Sequence, residues 1–239
     1  FWLCTVYNCL QRITMCTLTF IGTKNGYCLT SNRDEKVSRG KAIPPKKYEI
    51  YGKTITFPKD TAAGGTWVAH DEKAVLVLLN GANEKHIPTD NYRKSRGLIV
   101  LDLIGSENPI EEWKNIDLEN IEPFTIVYFD GENLVQWQWN SVEKTTKQFN
   151  KEEPHIWSSA TLYEPEIRVE RASWFAQFHQ EKESISSEKL LHFHQFEQAT
   201  NSDYGLQINR NNILKTVSIT QCIWQPNAIK MQYLDLLES

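Results

Sequence analysis

Strands open this chain, helices are grouped in its middle, and strands return at its end. Cys16 to Ile21 alternates polar and apolar residues, Gly22-Thr23-Lys24-Asn25-Gly26 reads as a five-residue turn, and Tyr27 to Ser31 reads as the return strand. A second hairpin runs from Thr66 to His70, turns at Asp71-Glu72-Lys73 and returns along Ala74 to Asn80. Ser95 to Ile104 carries Leu98, Leu101 and Ile104 at helical spacing with Ser95 placed as a cap, and Pro109 opens a short helix through Trp113. Strands are expected at Phe124 to Asp130, Leu134 to Asn140 and Val142 to Phe149. Helices follow at Glu164 to Gln180 and Ser187 to Gln198, then strands at Asn212 to Cys222 and Ala228 to Leu236. This order predicts an α+β fold, with helices packed outside antiparallel sheets.

With 239 residues, no internal repeat and no linker, one domain is expected over residues 15–239. A 40% apolar share with eight Trp, nine Tyr and ten Phe suffices for a sizeable core. The net charge of −4 gives no electrostatic case for nucleic acid or an anionic membrane. No apolar run approaches the roughly 18–20 residues of a membrane span. The basic stretch Lys41 to Lys47 reads as a solvated loop. The five cysteines lack metal-ligand or disulfide-scaffold spacing, so a reducing, cytoplasmic setting is expected. Residues 1–14 fall outside the pattern and lack the basic region and cleavage site of a signal peptide. They are expected to be either sequence upstream of a start at Met15 or a short pro-segment.

Cys16 directly follows Met15, so removal of that methionine would make it the first residue of a mature chain. Thiol and α-amine would then share one residue, and an amine titrating near pH ~7.7–8.0 can take a thiol proton. A five-residue turn sets Ile21 opposite Tyr27 and Cys16 opposite Asn32, with Asp34 on the same face. The second hairpin, on the same count, sets Gly64 opposite Asn80. Asn80-Gly81 can equally be a turn. Cys28, Cys222, Trp137 and Trp139 read as core. His192 and His194 are two apart on a helix and do not share a face, so no metal site is expected there.

Met15-Cys16-Thr17, Ser31-Asn32-Arg33-Asp34-Glu35 with Arg39, Gly64-Gly65-Thr66-Trp67, Leu79-Asn80 and Ser95-Arg96-Gly97 occur in this order. In these motifs the chain resembles the NRDE family, also called the transport and Golgi organisation family. The resemblance implies a four-layer αββα sandwich of the N-terminal nucleophile (Ntn) hydrolase type, similar to the cholylglycine hydrolase and penicillin V acylase group. It implies a catalytic set of Cys16, Asn32, Arg33, Asp34 and Asn80, with Cys16 as nucleophile, Arg33 and Asp34 tuning it and Asn80 donating to the oxyanion. Gly64, Gly65, Trp67 and Ser159 would contact substrate. Ser159 stands near where many members carry an Asn, within Trp157-Ser158-Ser159-Ala160. Loss of such a donor can cost on the order of 10²–10³ in rate. The expected activity is hydrolysis of a small non-peptide amide through an acyl-enzyme, with no metal and no cofactor. The alternative is a non-catalytic carrier of haem or a lipid or acyl ligand on the same fold.

Overall fold

The computed structural model describes residues 15–89, 91–180 and 185–237, and side chains from Thr17 onward. The 1–14 extension and the Cys16 side chain lie outside the described residues. The chain begins with strands β1 (Met15–Thr23), β2 (Gly26–Lys36), β3 (Ile43–Ile50), β4 (Lys53–Lys59), β5 (Val68–His70) and β6 (Val75–Asn80). Helices α1 (Arg96–Gly105) and α2 (Pro109–Asn115) follow, then strands β7 (Phe124–Phe129), β8 (Leu134–Trp139), β9 (Lys144–Phe149) and β10 (His155–Ser158). Helices α3 (Pro165–Gln180) and α4 (Ser187–Phe196) precede the closing strands β11 (Asn209–Arg210), β12 (Leu214–Gln225) and β13 (Ala228–Asp235).

Two antiparallel sheets result. One is a meander of seven strands in chain order from β3 to β9, and the other runs β10-β1-β2-β12-β11 with β13 also paired to β12. Alternation along β1 sorts its side chains: Leu18 and Phe20 join the large core cluster between the sheets, while Ile21 joins a second cluster with Trp174, Phe175, Leu190 and Phe193 of α3 and α4. Phe20 meets Phe129 edge-on across the sheets, with ring centroids 4.9 Å apart. On the far side of the meander, Trp113 of α2 stacks on Trp137 at 5.5 Å. The layers are therefore helix, sheet, sheet, helix. Trp137, Trp139, Cys28 and Cys222 are all buried.

Both hairpins depart from the sequence expectation by one residue. Thr23 pairs with Gly26, leaving only Lys24-Asn25 in the turn, so Cys16 is in register with Arg33 and Asn32 with Thr17. Gly26 is a strand residue; a Cβ there would sit 2.1 Å from the Trp224 carbonyl oxygen of β12. In the second hairpin His70 pairs with Val75, so the turn has four residues. The Asp71 carboxylate closes it by accepting from Lys73 N at 2.8 Å and Ala74 N at 2.7 Å. Continuing that pairing sets Gly65, not Gly64, across from Asn80.

The Lys41 to Lys47 stretch is not a loop but enters the edge strand β3. Pro44 and Pro45 fall where the β3–β4 register shifts between Ile43 and Lys46, opposite Pro58 of β4. Three prolines are thereby gathered where the ladder between the edge strand β3 and its neighbour β4 is already irregular. Ser95 does occupy the N-cap position of α1, yet its side chain makes no capping bond. Asn108 caps α2, accepting from Ile110 N and Glu111 N.

Candidate ligand cleft

β2 has two chemically different faces, and its alternation decides what reaches the cleft. Arg33 and Glu35 point one way, into a cleft of about 460 Å³ that Asp60, Gly65, Trp67, Asn80 and Arg96 also line. Asn32 and Asp34 point the other way, towards α3 and α4. A volume of this size suits a small organic ligand.

The cleft floor is an ion-paired guanidinium on an indole. The Arg33 guanidinium lies 4.2 Å from the Trp67 ring centroid. Its Nη2 donates to Asp60 Oδ2 at 3.2 Å and to Glu35 Oε2 at 3.4 Å. Arg39 Nε shares the same two carboxylates, at 2.8 Å from Asp60 and 3.4 Å from Glu35. The acids respond differently. Burial pushes the Glu35 carboxyl up, and Arg33 and Arg39 only partly offset it. Burial also works against the Asp60 anion, but Arg39, Arg33 and the Ala62 N–H outweigh it and hold Asp60 below the usual range. On the opposite wall Arg96 Nη2 pairs with Glu122 at 3.0 Å, and His86 Nε2 meets the other Glu122 oxygen at 3.2 Å.

Backbone approach brings the walls together. Thr66 N donates to the Gly97 carbonyl at 3.1 Å, joining the 60–67 loop to the start of α1. A Cβ on Gly65 would lie 2.4 Å from the Gly97 carbonyl carbon, so neither residue can carry a side chain without moving the other. Gly64 holds φ at +73° with open space around it and does not line the cleft. Trp67 is anchored by its indole N–H, which donates to Thr220 Oγ1 of the other sheet at 3.3 Å.

Asn80 lines the cleft at the end of β6. Ser159 does not line it. Its hydroxyl donates to the Asn80 carbonyl at 2.6 Å and pairs with Thr161 Oγ1 at 2.9 Å, bracing Asn80 from behind.

Asn32 and Asp34 belong to a buried polar layer beneath the helices. Asn32 Nδ2 donates to the carbonyls of Leu206 at 2.7 Å and His194 at 3.1 Å. Its Oδ1 is therefore an acceptor, and His194 Nδ1 donates to it at 2.6 Å. His194 Nε2 is left to accept from the Thr19 hydroxyl at 2.7 Å. Asp34 accepts from Tyr163 Oη at 2.8 Å and Thr216 Oγ1 at 2.5 Å. Burial pushes its carboxyl up against the pull of Arg171. The wholly buried Arg171 lies over the Tyr163 ring at 3.6 Å, and its Nη1 donates to Thr17 Oγ1 of β1.

The structure thus gathers Arg33, Gly65, Trp67 and Asn80 at one cleft, and places Asn32, Asp34 and Ser159 elsewhere. Asp60 and Glu122 are cleft residues that the sequence reading did not single out. The sole local signal was Asp60 ahead of Thr-Ala-Ala-Gly-Gly, an Asx-turn pattern. Among the described residues no group of three or more His, Cys, Asp or Glu side chains is placed to hold a metal, and no helix is long and apolar enough to cross a membrane. Residues 15–227 match the family model described as Transport and Golgi organisation 2. No curated protein matches the chain.

Proposed function

The chain belongs to the Transport and Golgi organisation 2 family, and from that premise and its cleft we propose that it is an amidohydrolase of the Ntn type, using Cys16 as nucleophile on a small non-peptide amide. One observation carries this reading. The residue in register with Cys16 is Arg33, and Arg33 lines the same cleft as Trp67 and Asn80. A guanidinium beside a cysteine favours its thiolate. The resemblance to cysteine acylases supplies the reaction class.

In this mechanism the chain begins at Cys16. The α-amine takes the thiol proton, and the thiolate attacks the amide carbonyl carbon. The Asn80 side chain and a backbone N–H donate to the oxyanion. The C–N bond then breaks, the ammonium returning its proton to the departing amine and leaving a thioester on Cys16. Water, losing a proton to the α-amine, attacks the thioester and releases the carboxylic acid with the free thiol. A cytoplasmic, reducing setting suits an unpaired thiol of this kind.

The test is intact-mass analysis of protein beginning at Cys16 after exposure to N-acyl and penicillin V-like probes. An acyl adduct that maps to Cys16 and is absent from Cys16→Ala is expected. Neither adduct nor hydrolysis from a folded protein with a verified Cys16 terminus would overturn the reading.

A second reading has its own support. Asn32 and Asp34, expected beside the nucleophile, make their hydrogen bonds in the helix layer, and Trp67, Leu78 and Leu98 give the cleft apolar walls. Both features suit a carrier of haem or an acyl chain. Titration of such ligands against Cys16→Ala by calorimetry separates the two: unchanged affinity without turnover favours the carrier.

A further inference from the structure

Two arginines of the cleft, Arg33 and Arg39, share one carboxylate oxygen, and that oxygen belongs to a residue with no assigned role. Asp60 Oδ2 accepts from Arg39 Nε at 2.8 Å and from Arg33 Nη2 at 3.2 Å. Its other oxygen does separate work, accepting from Ala62 N at 2.8 Å and Ala63 N at 3.2 Å to shape the loop. The Asp60 backbone completes the turn, with its N–H on the Gly65 carbonyl at 2.9 Å and its carbonyl on Gly64 N at 2.8 Å.

Two guanidiniums bonded to one carboxylate oxygen in a partly buried site repel each other unless a negative charge lies between them. The other candidate for that charge is Glu35, but it contacts each arginine only at 3.4 Å. Burial leaves its carboxyl pushed up despite both arginines, whereas the same arginines hold Asp60 below the usual range. We propose that Asp60 is the positioning residue of the cleft: its Oδ2 holds the Arg33 guanidinium over Trp67, and its Oδ1 ties that placement to the loop carrying Gly65. Where the consequence is read at the Cys16 thiol, the inference rests on the nucleophile reading above. The placement of Arg33 itself does not.

Asp60→Asn is the discriminating variant, because an amide oxygen can keep the Ala62 and Ala63 bonds while the charge is removed. The first measurement is nitrogen-15 NMR of the Arg33 guanidinium, assigned by the peak that vanishes in Arg33→Gln. The Arg33 Nη2 protons, which bond Asp60, are expected to exchange at least about tenfold faster in Asp60→Asn than in the native protein, a loss of order one power of ten in protection. Unchanged exchange in folded Asp60→Asn overturns the proposal. Should that variant not fold, Arg39→Gln decides: Asp60 then serves Arg33 alone, so protection is expected to persist, and its loss overturns the proposal.

The second measurement follows iodoacetamide alkylation of Cys16 against pH, in protein beginning at Cys16. Asp60→Asn is expected to raise the thiol midpoint, by less than Arg33→Gln because losing the Asp60 anion itself favours the thiolate, and Arg33→Gln to raise it by about one unit. That is about tenfold less thiolate at pH 7. If Arg33→Gln leaves the midpoint in place, the nucleophile reading fails while the exchange data still decide the role of Asp60. If Arg33→Gln moves it and Asp60→Asn does not, the positioning role fails.

Discussion

His194 is neutral in the folded protein because everything around it requires one tautomer. Nδ1 gives its proton to Asn32 Oδ1 and Nε2 accepts from Thr19. A second proton would fall on Nε2 inside a wholly buried site, with the Arg171 charge nearby. Burial first, and then Arg171, hold its pKa down at about 3. In the unfolded chain a histidine titrates near ~6.5. Between these values the unfolded state binds a proton that the native state does not, so stability falls as pH drops through that window. From pH 7 to pH 5 the expected loss from this one group is about 2 kcal/mol. Asp34 and Glu35, whose carboxyls are pushed up, contribute with the opposite sign, so the comparison must be made within one background. Urea unfolding of native protein and His194→Gln at both pH values is the measurement. The variant is expected to lose less stability over that interval by about the stated amount, and equal pH slopes would refute the assignment.

At the scale of elements, the close approach of the Gly65 loop to α1 is the sharpest constraint on the cleft. Gly65→Ala would drive its Cβ into the backbone of Gly97 and Leu98, and an expected loss of about 3 kcal/mol follows from overpacking against atoms that cannot swing aside. Gly64→Ala meets no neighbour and costs only the left-handed backbone, about 1–2 kcal/mol. Thermal melts of the two single variants test the order, and Gly64→Ala as the more damaging change would contradict it. The elements were legible where caps and turn residues bound them, such as Pro165 at the start of α3, Ser187 at that of α4 and Gly131 between β7 and β8: α3, α4, the closing strands β12 and β13, and β7 to β9 lie close to their expected places. What failed was the counting between them. The residues 22–26 could be a loop or a continuation of two strands; in the fold Gly22 pairs with Tyr27 and Thr23 with Gly26, and Gly26 packs against Trp224 of β12. A two-residue turn is also the commoner hairpin connection. That single step sets Arg33 in place of Asn32 in register with Cys16, since a register slip of one exchanges the face of β2 that each β1 residue meets. β3 was hidden by prolines that a sheet edge tolerates, and β10 by its short length of four residues. Asp60, Arg96 and Glu122 could not be read as one site, because only the folded meander and α1 bring them together.

Across the whole molecule, β2 carries two polar systems back to back. Odd-numbered Arg33 and Glu35 face the cleft with Asp60, Arg39 and Trp67; even-numbered Asn32 and Asp34 face the helix layer with His194, Tyr163 and Arg171. Among the described residues no hydrogen bond joins the two sets. The sheet backbone between them is anchored on both sides by β1 and β12, and a strand held in this way does not shift readily when one face is altered. Asp60→Asn acts on the cleft side and His194→Gln on the helix side, with no shared partner, so their stability costs are expected to add. The sum of the single-variant losses and the loss in the double variant should agree within about 0.5 kcal/mol in urea unfolding. The Arg33 guanidinium exchange rate in His194→Gln should likewise match that of the native protein. A coupling above about 1 kcal/mol would mean that β2 moves as a lever between its faces. In that case Asn32 and Asp34 would influence the cleft through the strand despite pointing away from it, which is the one route by which residues on the helix side could still serve the chemistry at Cys16.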